Sequence, residues 1–91
     1  PPTKVAFDNV VAEAYTVLDV RTRDRLGLLY LISSTLSDLG VDLRSAKIMT
    51  EAEQVVDVFY VTNKDGSKLM DEARREQIGL ALERALSEGL N

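Results

Sequence analysis

Thr22-Arg23-Asp24-Arg25-Leu26-Gly27-Leu28-Leu29 is the stretch from which the rest of this sequence can be placed. Before it, Thr16-Val17-Leu18-Asp19-Val20-Arg21 alternates like a strand, with Leu18 and Val20 sharing a face with Thr16 and Thr22. After it, Leu28, Leu29, Ile32, Leu36 and Leu39 recur at helical spacing. The stretch is therefore a strand-to-helix turn. Asp24 suits the N-cap, because its carboxylate can accept from the orphan amides of a first helical turn. Gly27 keeps the turn open, with no Cβ between the backbone and whatever approaches. Exposed amides backed by the helix dipole suit a carboxylate or another small polar ligand, although such a turn can equally bind water alone.

The helix predicted from Arg25 ends near Leu39, where Gly40 supplies a left-handed stop, and Ser33, Ser34, Ser37 and Asp38 fill much of its outer face. Val41 to Glu51 and Gln54 to Asn63 read as two long strands, and the short Ala52-Glu53 connection implies a hairpin. Turn signals follow in Asn63-Lys64-Asp65-Gly66-Ser67. Asp71 then caps a second helix running to about Glu88, with Ile78, Ala81, Leu82, Ala85 and Leu86 as its buried stripe and Gly89 as a stop. Gly79 weakens that helix by up to about 1 kcal/mol relative to Ala. Upstream, Lys4-Val5-Ala6-Phe7-Asp8-Asn9 can form an edge strand, Val10 to Ala14 a connector, and Tyr15 to Thr22 the first long strand.

The order is strand, strand, helix, strand, strand, helix. Its economical packing is an α+β, ferredoxin-like two-layer sandwich, with two helices on one face of a four-stranded antiparallel sheet. A right-handed strand-helix-strand crossover leaves room for the 54–63 strand between its two strands. The early strand then pairs with Tyr15–Thr22 on the outside, where a ferredoxin-like fold normally has its last strand.

With 91 residues the chain makes one domain, and a chain of this size buries about 60% of the surface its unfolded form exposes. Hydrophobic content of 45% is ample for a core, and 29% charged residues describe an ordinary soluble surface. A net charge of −4 with 5% aromatic residues argues against nucleic acid or an anionic membrane as partner. No apolar run reaches the roughly 20 residues needed to span a bilayer, and no signal-peptide pattern opens the chain. With no Cys and no His, disulfides, thiolate metal sites and the commonest general base are all excluded. The Pro1-Pro2 start without Met is expected of a piece of something longer, and Met removal gives the same start.

The 54–63 strand is apolar on both faces, since Val56, Val58 and Tyr60 alternate with Val55, Phe59 and Val61. Each such side chain is worth roughly 1.5–3 kcal/mol when fully buried. Either this is a central strand with a mildly apolar open face, or a dimer or inter-domain contact covers that face.

Three segments carry a resemblance: Asp24-Arg25-Leu26-Gly27-Leu28-Leu29, then Leu39-Gly40-Val41-Asp42-Leu43, then Ala46-Lys47-Ile48-Met49-Thr50. Together they resemble the small-molecule-sensing ACT domain. The run Val55-Val56-Asp57-Val58-Phe59-Tyr60-Val61-Thr62, with Phe7-Asp8-Asn9 upstream, is most similar to the C-terminal ACT domains of bacterial protein-PII uridylyltransferases. The resemblance runs from about Val5 to Leu86. It implies a cytoplasmic regulatory domain in nitrogen metabolism that binds an amino acid, glutamine in these enzymes, and is not itself catalytic. Implied partners are a second ACT domain or a homodimer and, through the parent, the PII signalling protein. No cofactor is expected in this domain, and a divalent metal is expected in the parent's nucleotidyltransferase and phosphohydrolase domains.

Carried over by motif, the ligand contacts fall on Thr22, Asp24, Arg25, Leu26 and Gly27, with Asp42 at a position where the family commonly has a ligand-binding Asn. Two departures stand out. Leu26 replaces the usual Pro, which leaves the turn less pre-set in φ and adds an amide donor. Asp42 is a carboxylate that can accept from an α-amino group but cannot donate, or else a solvated surface acid. Arg25 can face a ligand carboxylate or be solvated.

Other functions known for folds of this shape fit less well. No phosphate-cradling loop of the acylphosphatase type is present, metal-binding relatives need paired cysteines, and RNA-binding sheets need exposed aromatics with basic charge. The remaining rival is an interaction module that binds no ligand.

Overall fold

Alternation builds the strands, and they assemble in the order β1-β2-β4-β3 as one antiparallel sheet. In chain order the elements are β1 (Lys4–Asp8), β2 (Thr16–Arg23), α1 (Leu28–Asp38), β3 (Val41–Glu51), β4 (Gln54–Asn63) and α2 (Glu72–Glu88). The computed structural model describes residues 2–51 and 54–88, and side chains at all of these except 50, 51, 54 and 55. The hairpin connection expected at Ala52-Glu53, the side chain of Val55 and the stop expected at Gly89 lie outside the described residues.

The register decides which residues share a face. Leu18 stands opposite Phe59, Val20 opposite Asp57 and Thr16 opposite Val61, so these form the helix-covered side of the two central strands. Leu18, Val20, Phe59 and Val61 pack there with Leu28, Ile32 and Leu36 of α1 and Ile78, Leu82 and Leu86 of α2. β1 lies outside β2, with Val5 opposite Val20 and Phe7 opposite Leu18, and both side chains pack against the core edge. This is the ferredoxin-like sandwich expected, with β1 in the outer place.

β3 carries a bulge between Leu43 and Ser45. One extra residue there shifts the parity of side chains along the strand. Val41 and Leu43 face α1 before it, and Ala46 and Ile48 take that face after it. Ile48 lies beyond the cover of the helix and is exposed.

α2 begins as expected, the Asp71 carboxylate accepting from the Ala73 amide at 3.0 Å. The start of α1 differs from expectation. Asp24 does not cap it; the helix begins at Leu28, and its N-cap is Gly27. Leu29 is also no part of the core stripe: it is exposed, while Leu31 packs against the core in part. The apolar spacing of Leu28 and Leu29 serves either assignment, and the residue the turn forces to positive φ sets the boundary. At the far end Gly40 takes φ +74 and its amide reaches the Ser37 carbonyl, the expected left-handed stop.

The open face of β4 is largely self-covered. Val56 and Thr62 are buried, while Val58 and Tyr60 are half-buried, and Tyr15 meets Tyr60 edge-on at 6.2 Å.

Candidate functional site

β2 delivers the chain to the site. Its core-facing residues end at Thr22, Arg23 turns outward, and the residues from Asp24 to Gly27 form the connection to α1. The Leu28 amide donates to the Arg25 carbonyl at 3.3 Å, which closes a four-residue turn over Leu26 and Gly27. Gly27 holds φ 77 and ψ 9, the third-position geometry of a type II turn. A Cβ built there would meet nothing within 4 Å, so the glycine is required by its backbone angle and its outward side is open.

The first intrahelical bond runs from the Leu31 amide to the Gly27 carbonyl at 3.0 Å. No side chain caps this end of α1, and its first turn carries no acid. The helix therefore presents its positive end uncompensated.

Beside it lies an open depression of about 310 Å³, lined by residues 25–30 together with Ile48 and Asp57. Two of its lining side chains are charged, and each has a buried atom without a hydrogen-bond partner: Arg25 Nη1 and Asp57 Oδ1. Asp57 is 1% exposed on the helix-facing side of β4. Burial pushes its carboxyl above the ordinary carboxylate range, and the negative charge of Asp24 nearby adds to that shift. The remaining wall is neutral and mostly apolar, with Leu26, Leu29, Tyr30 and Ile48 exposed at its surface.

The residues expected at the site from sequence do not all meet. Arg25, Leu26 and Gly27 line the depression together. Asp24 is exposed, is not among the lining residues and acts on the site through its charge near Asp57. Thr22 is not among the lining residues: it is buried at 3% exposure, and its hydroxyl pairs with that of Thr3 at 2.9 Å. Asp42 sits at the opposite end of the sheet. It pairs in register with Thr62, whereas Thr22 pairs with Val55, and those two β4 positions lie roughly 24 Å apart at about 3.4 Å per residue. Its carboxylate meets Lys64 Nζ at 3.3 Å. Within one chain, Asp42 cannot touch a molecule held at the turn.

Asp57 is the site residue that no motif in the sequence marks. A signal was present, since it occupies a core-facing place in an alternation that continues with Phe59 and Val61. An acid in such a place is expected to be paired or to serve a site. Among the described residues, no group of three or more His, Cys, Asp or Glu is placed to hold a metal, and no helix is long and apolar enough to cross a membrane.

A family model described as an ACR9-like, ACT-like domain matches residues 4–91. The chain is 44% identical over 88 residues to a bifunctional uridylyltransferase/uridylyl-removing enzyme of Cereibacter sphaeroides, covering 97% of this chain and 10% of that protein. It is 42% identical over 88 residues to the protein of the same description from Ruegeria pomeroyi, with the same coverage. The counterpart from Rhodospirillum rubrum is 39% identical over 87 residues, 96% of this chain and 9% of that protein. The chain thus spans about a tenth of the length of these relatives. No solved structure matches it.

Proposed function

The chain belongs to the ACT-like domain family, and on that premise we propose that residues 1–91 form one amino-acid-sensing regulatory domain of a bifunctional uridylyltransferase/uridylyl-removing enzyme, with glutamine as the ligand. The observation that carries this reading is the open depression at the β2–α1 turn, where Gly27 and an uncapped helix end face a cavity of about 310 Å³. That volume lies at the small end of ligand pockets, the size range for a single amino acid. Regulation of the larger enzyme is achieved if the ligand favours one arrangement of its domains, with a coupling of about 1–3 kcal/mol. A sensor of an abundant metabolite needs only weak affinity, and a 1 mM dissociation constant corresponds to about −4.1 kcal/mol.

In this reading the catalytic groups, and any divalent metal they need, lie in the remainder of a cytoplasmic parent enzyme whose protein substrate is the PII signalling protein. The test is isothermal titration of glutamine into the 91-residue chain and into Gly27→Val. Saturable binding is expected, weakened at least tenfold by the valine, whose Cβ cannot sit comfortably at φ 77. Absence of binding to the chain, together with full glutamine response in a parent lacking this domain, overturns the reading.

A second reading, an interaction module without ligand, draws on the half-buried Val17, Val58 and Tyr60 of the open sheet face. A second ACT-like domain or another copy of the chain would cover them. It requires dimers in sedimentation equilibrium that Val58→Lys dissociates, and concentration-independent monomers exclude the homodimer.

A further inference from the structure

We infer that Arg25 and Asp57 form a two-pronged clamp for the charged head of a neutral α-amino acid, Arg25 taking the α-carboxylate and Asp57 the α-ammonium group. This rests on the sensing reading above and adds to it a residue from the central strand and the part of the ligand that each charged side chain takes.

The clamp is implied by two oppositely charged side chains that line one depression, each with a hidden atom that lacks a partner. Arg25 Nη1 and Asp57 Oδ1 are both hidden from solvent, both lack a hydrogen-bond partner, and both side chains line the same depression. Asp57 is a buried charge left unpaired, among the most costly features a fold can carry, so it calls for an opposite charge delivered from outside the chain, while the half-buried Arg25 keeps one hidden nitrogen free to meet an anion. One small molecule brings both: a zwitterion with its carboxylate and ammonium separated by a single carbon. The guanidinium offers a carboxylate paired N–H donors in a planar fork, and the uncapped N-terminus of α1 adds amide dipoles of the same sign. An ammonium group donates three hydrogens, and the Asp57 carboxylate is acceptor-only when ionised.

The rest of the wall selects the side chain of the ligand. Leu26, Leu29, Tyr30 and Ile48 offer apolar surface and no third charge, so that side chain is uncharged. Glutamine meets this condition; glutamate and lysine do not. Within this chain the acceptor for the α-amino group is thus Asp57 and not Asp42, which Lys64 meets at the far end of the sheet.

A site built to pair a charged group rejects analogues lacking that group far more strongly than analogues differing in apolar bulk. The experiment is calorimetric titration of the 91-residue chain with glutamine, with its carboxamide (no carboxylate), with its 2-oxo analogue (no ammonium) and with glutamate. Glutamine is expected to bind at least thirtyfold more tightly than either truncated analogue and at least tenfold more tightly than glutamate. Asp57→Asn is expected to lose at least tenfold for glutamine and almost nothing for the 2-oxo analogue. Arg25→Gln is expected to lose at least tenfold for glutamine and almost nothing for the carboxamide. Circular dichroism and a thermal melt confirm that each variant is folded.

Wild-type affinity retained in folded Asp57→Asn and Arg25→Gln overturns the clamp and leaves the sensing reading standing. A non-additive stability loss in the double variant, with glutamine affinity unchanged, makes the two a structural pair and also overturns it. If neither glutamine nor leucine, phenylalanine or serine binds the wild-type chain, and a parent lacking this domain keeps its glutamine response, the sensing reading falls first and the clamp with it.

Discussion

Asp57 shows how a fold can carry a group that works against its own stability. Its carboxylate is buried with an unpartnered oxygen, beside the like charge of Asp24. Neutralising it in a nearly isosteric way removes the charge and keeps the shape. Asp57→Asn is therefore expected to stabilise the ligand-free chain at pH 7 by about 1–2 kcal/mol, measured by denaturant unfolding, while it weakens amino-acid binding. A loss of stability instead would mean that the carboxylate is satisfied inside the fold.

Leu26 makes the complementary case. It is 99% exposed at the second position of a turn whose third position, Gly27, has type II angles. Proline suits that second position and narrows the unfolded ensemble, so Leu26→Pro is expected to raise stability by about 0.4–1 kcal/mol. A lower melting temperature would show that the Leu26 amide is needed within the fold.

Elements are joined by polar contacts that periodicity does not reveal. The buried Thr16 hydroxyl donates to Asn9 Oδ1 and accepts from the Leu69 amide at 2.8 Å. Asn9 Nδ2 donates to the Leu69 carbonyl at 2.9 Å, and Arg75 reaches the same carbonyl at 2.8 Å. This ties the β1–β2 connection and the start of β2 to the lead-in of α2. Thr16→Val keeps the volume and leaves a buried amide and a side-chain oxygen without their partner, a cost of about 1–3 kcal/mol in a thermal or urea melt. Within α2, Gly79 faces β1, and a Cβ there would meet Phe7 Cε1 at 3.6 Å and Val5 Cγ1 at 3.9 Å, ordinary contact distances. Gly79→Ala is accordingly expected to stabilise by about 0.5–1 kcal/mol through helix propensity. A loss would mean that β1 and α2 are packed too closely to admit a methyl group.

Across the whole molecule, titrating acids pull stability in opposite directions. Asp8 accepts from the Val10 and Val11 amides, and Asp65 from the amide and hydroxyl of Ser67, which hold both carboxyls below their usual range. An acid whose folded pKa is lowered contributes stability above its unfolded value of about 3.8, lost as pH falls through the folded value. Asp57 shifts the other way: the folded state holds its proton longer, so stability declines as pH rises from about 3.8 through its raised value. Stability against pH should thus rise out of the acid, pass a maximum and then fall. In Asp57→Asn the fall should be absent, and persistence of the same decline would assign it to another group.

Element types are legible in the sequence, because strand alternation, helical spacing and glycine stops are local patterns repeated over many residues, and the sheet order follows from them through the right-handed crossover. The bounds of β3, β4 and α2 are read from the sequence directly, as are the Gly40 stop and the Asp71 cap. Family resemblance likewise marked the β2–α1 turn and Arg25. Local pattern could not place the start of α1, since Leu28 and Leu29 suit several helix registers and only the positive φ at Gly27 decides among them. Nor could it separate Asp42 from Asp57 as the acid near the turn. That choice depends on strand pairing: the register of β4 against β2 brings Asp57 beside the turn and carries Asp42 to the other end of the sheet. Which charges are buried, and which remain without a partner, is a property of contacts between segments distant in the chain, and it is set when those segments pack.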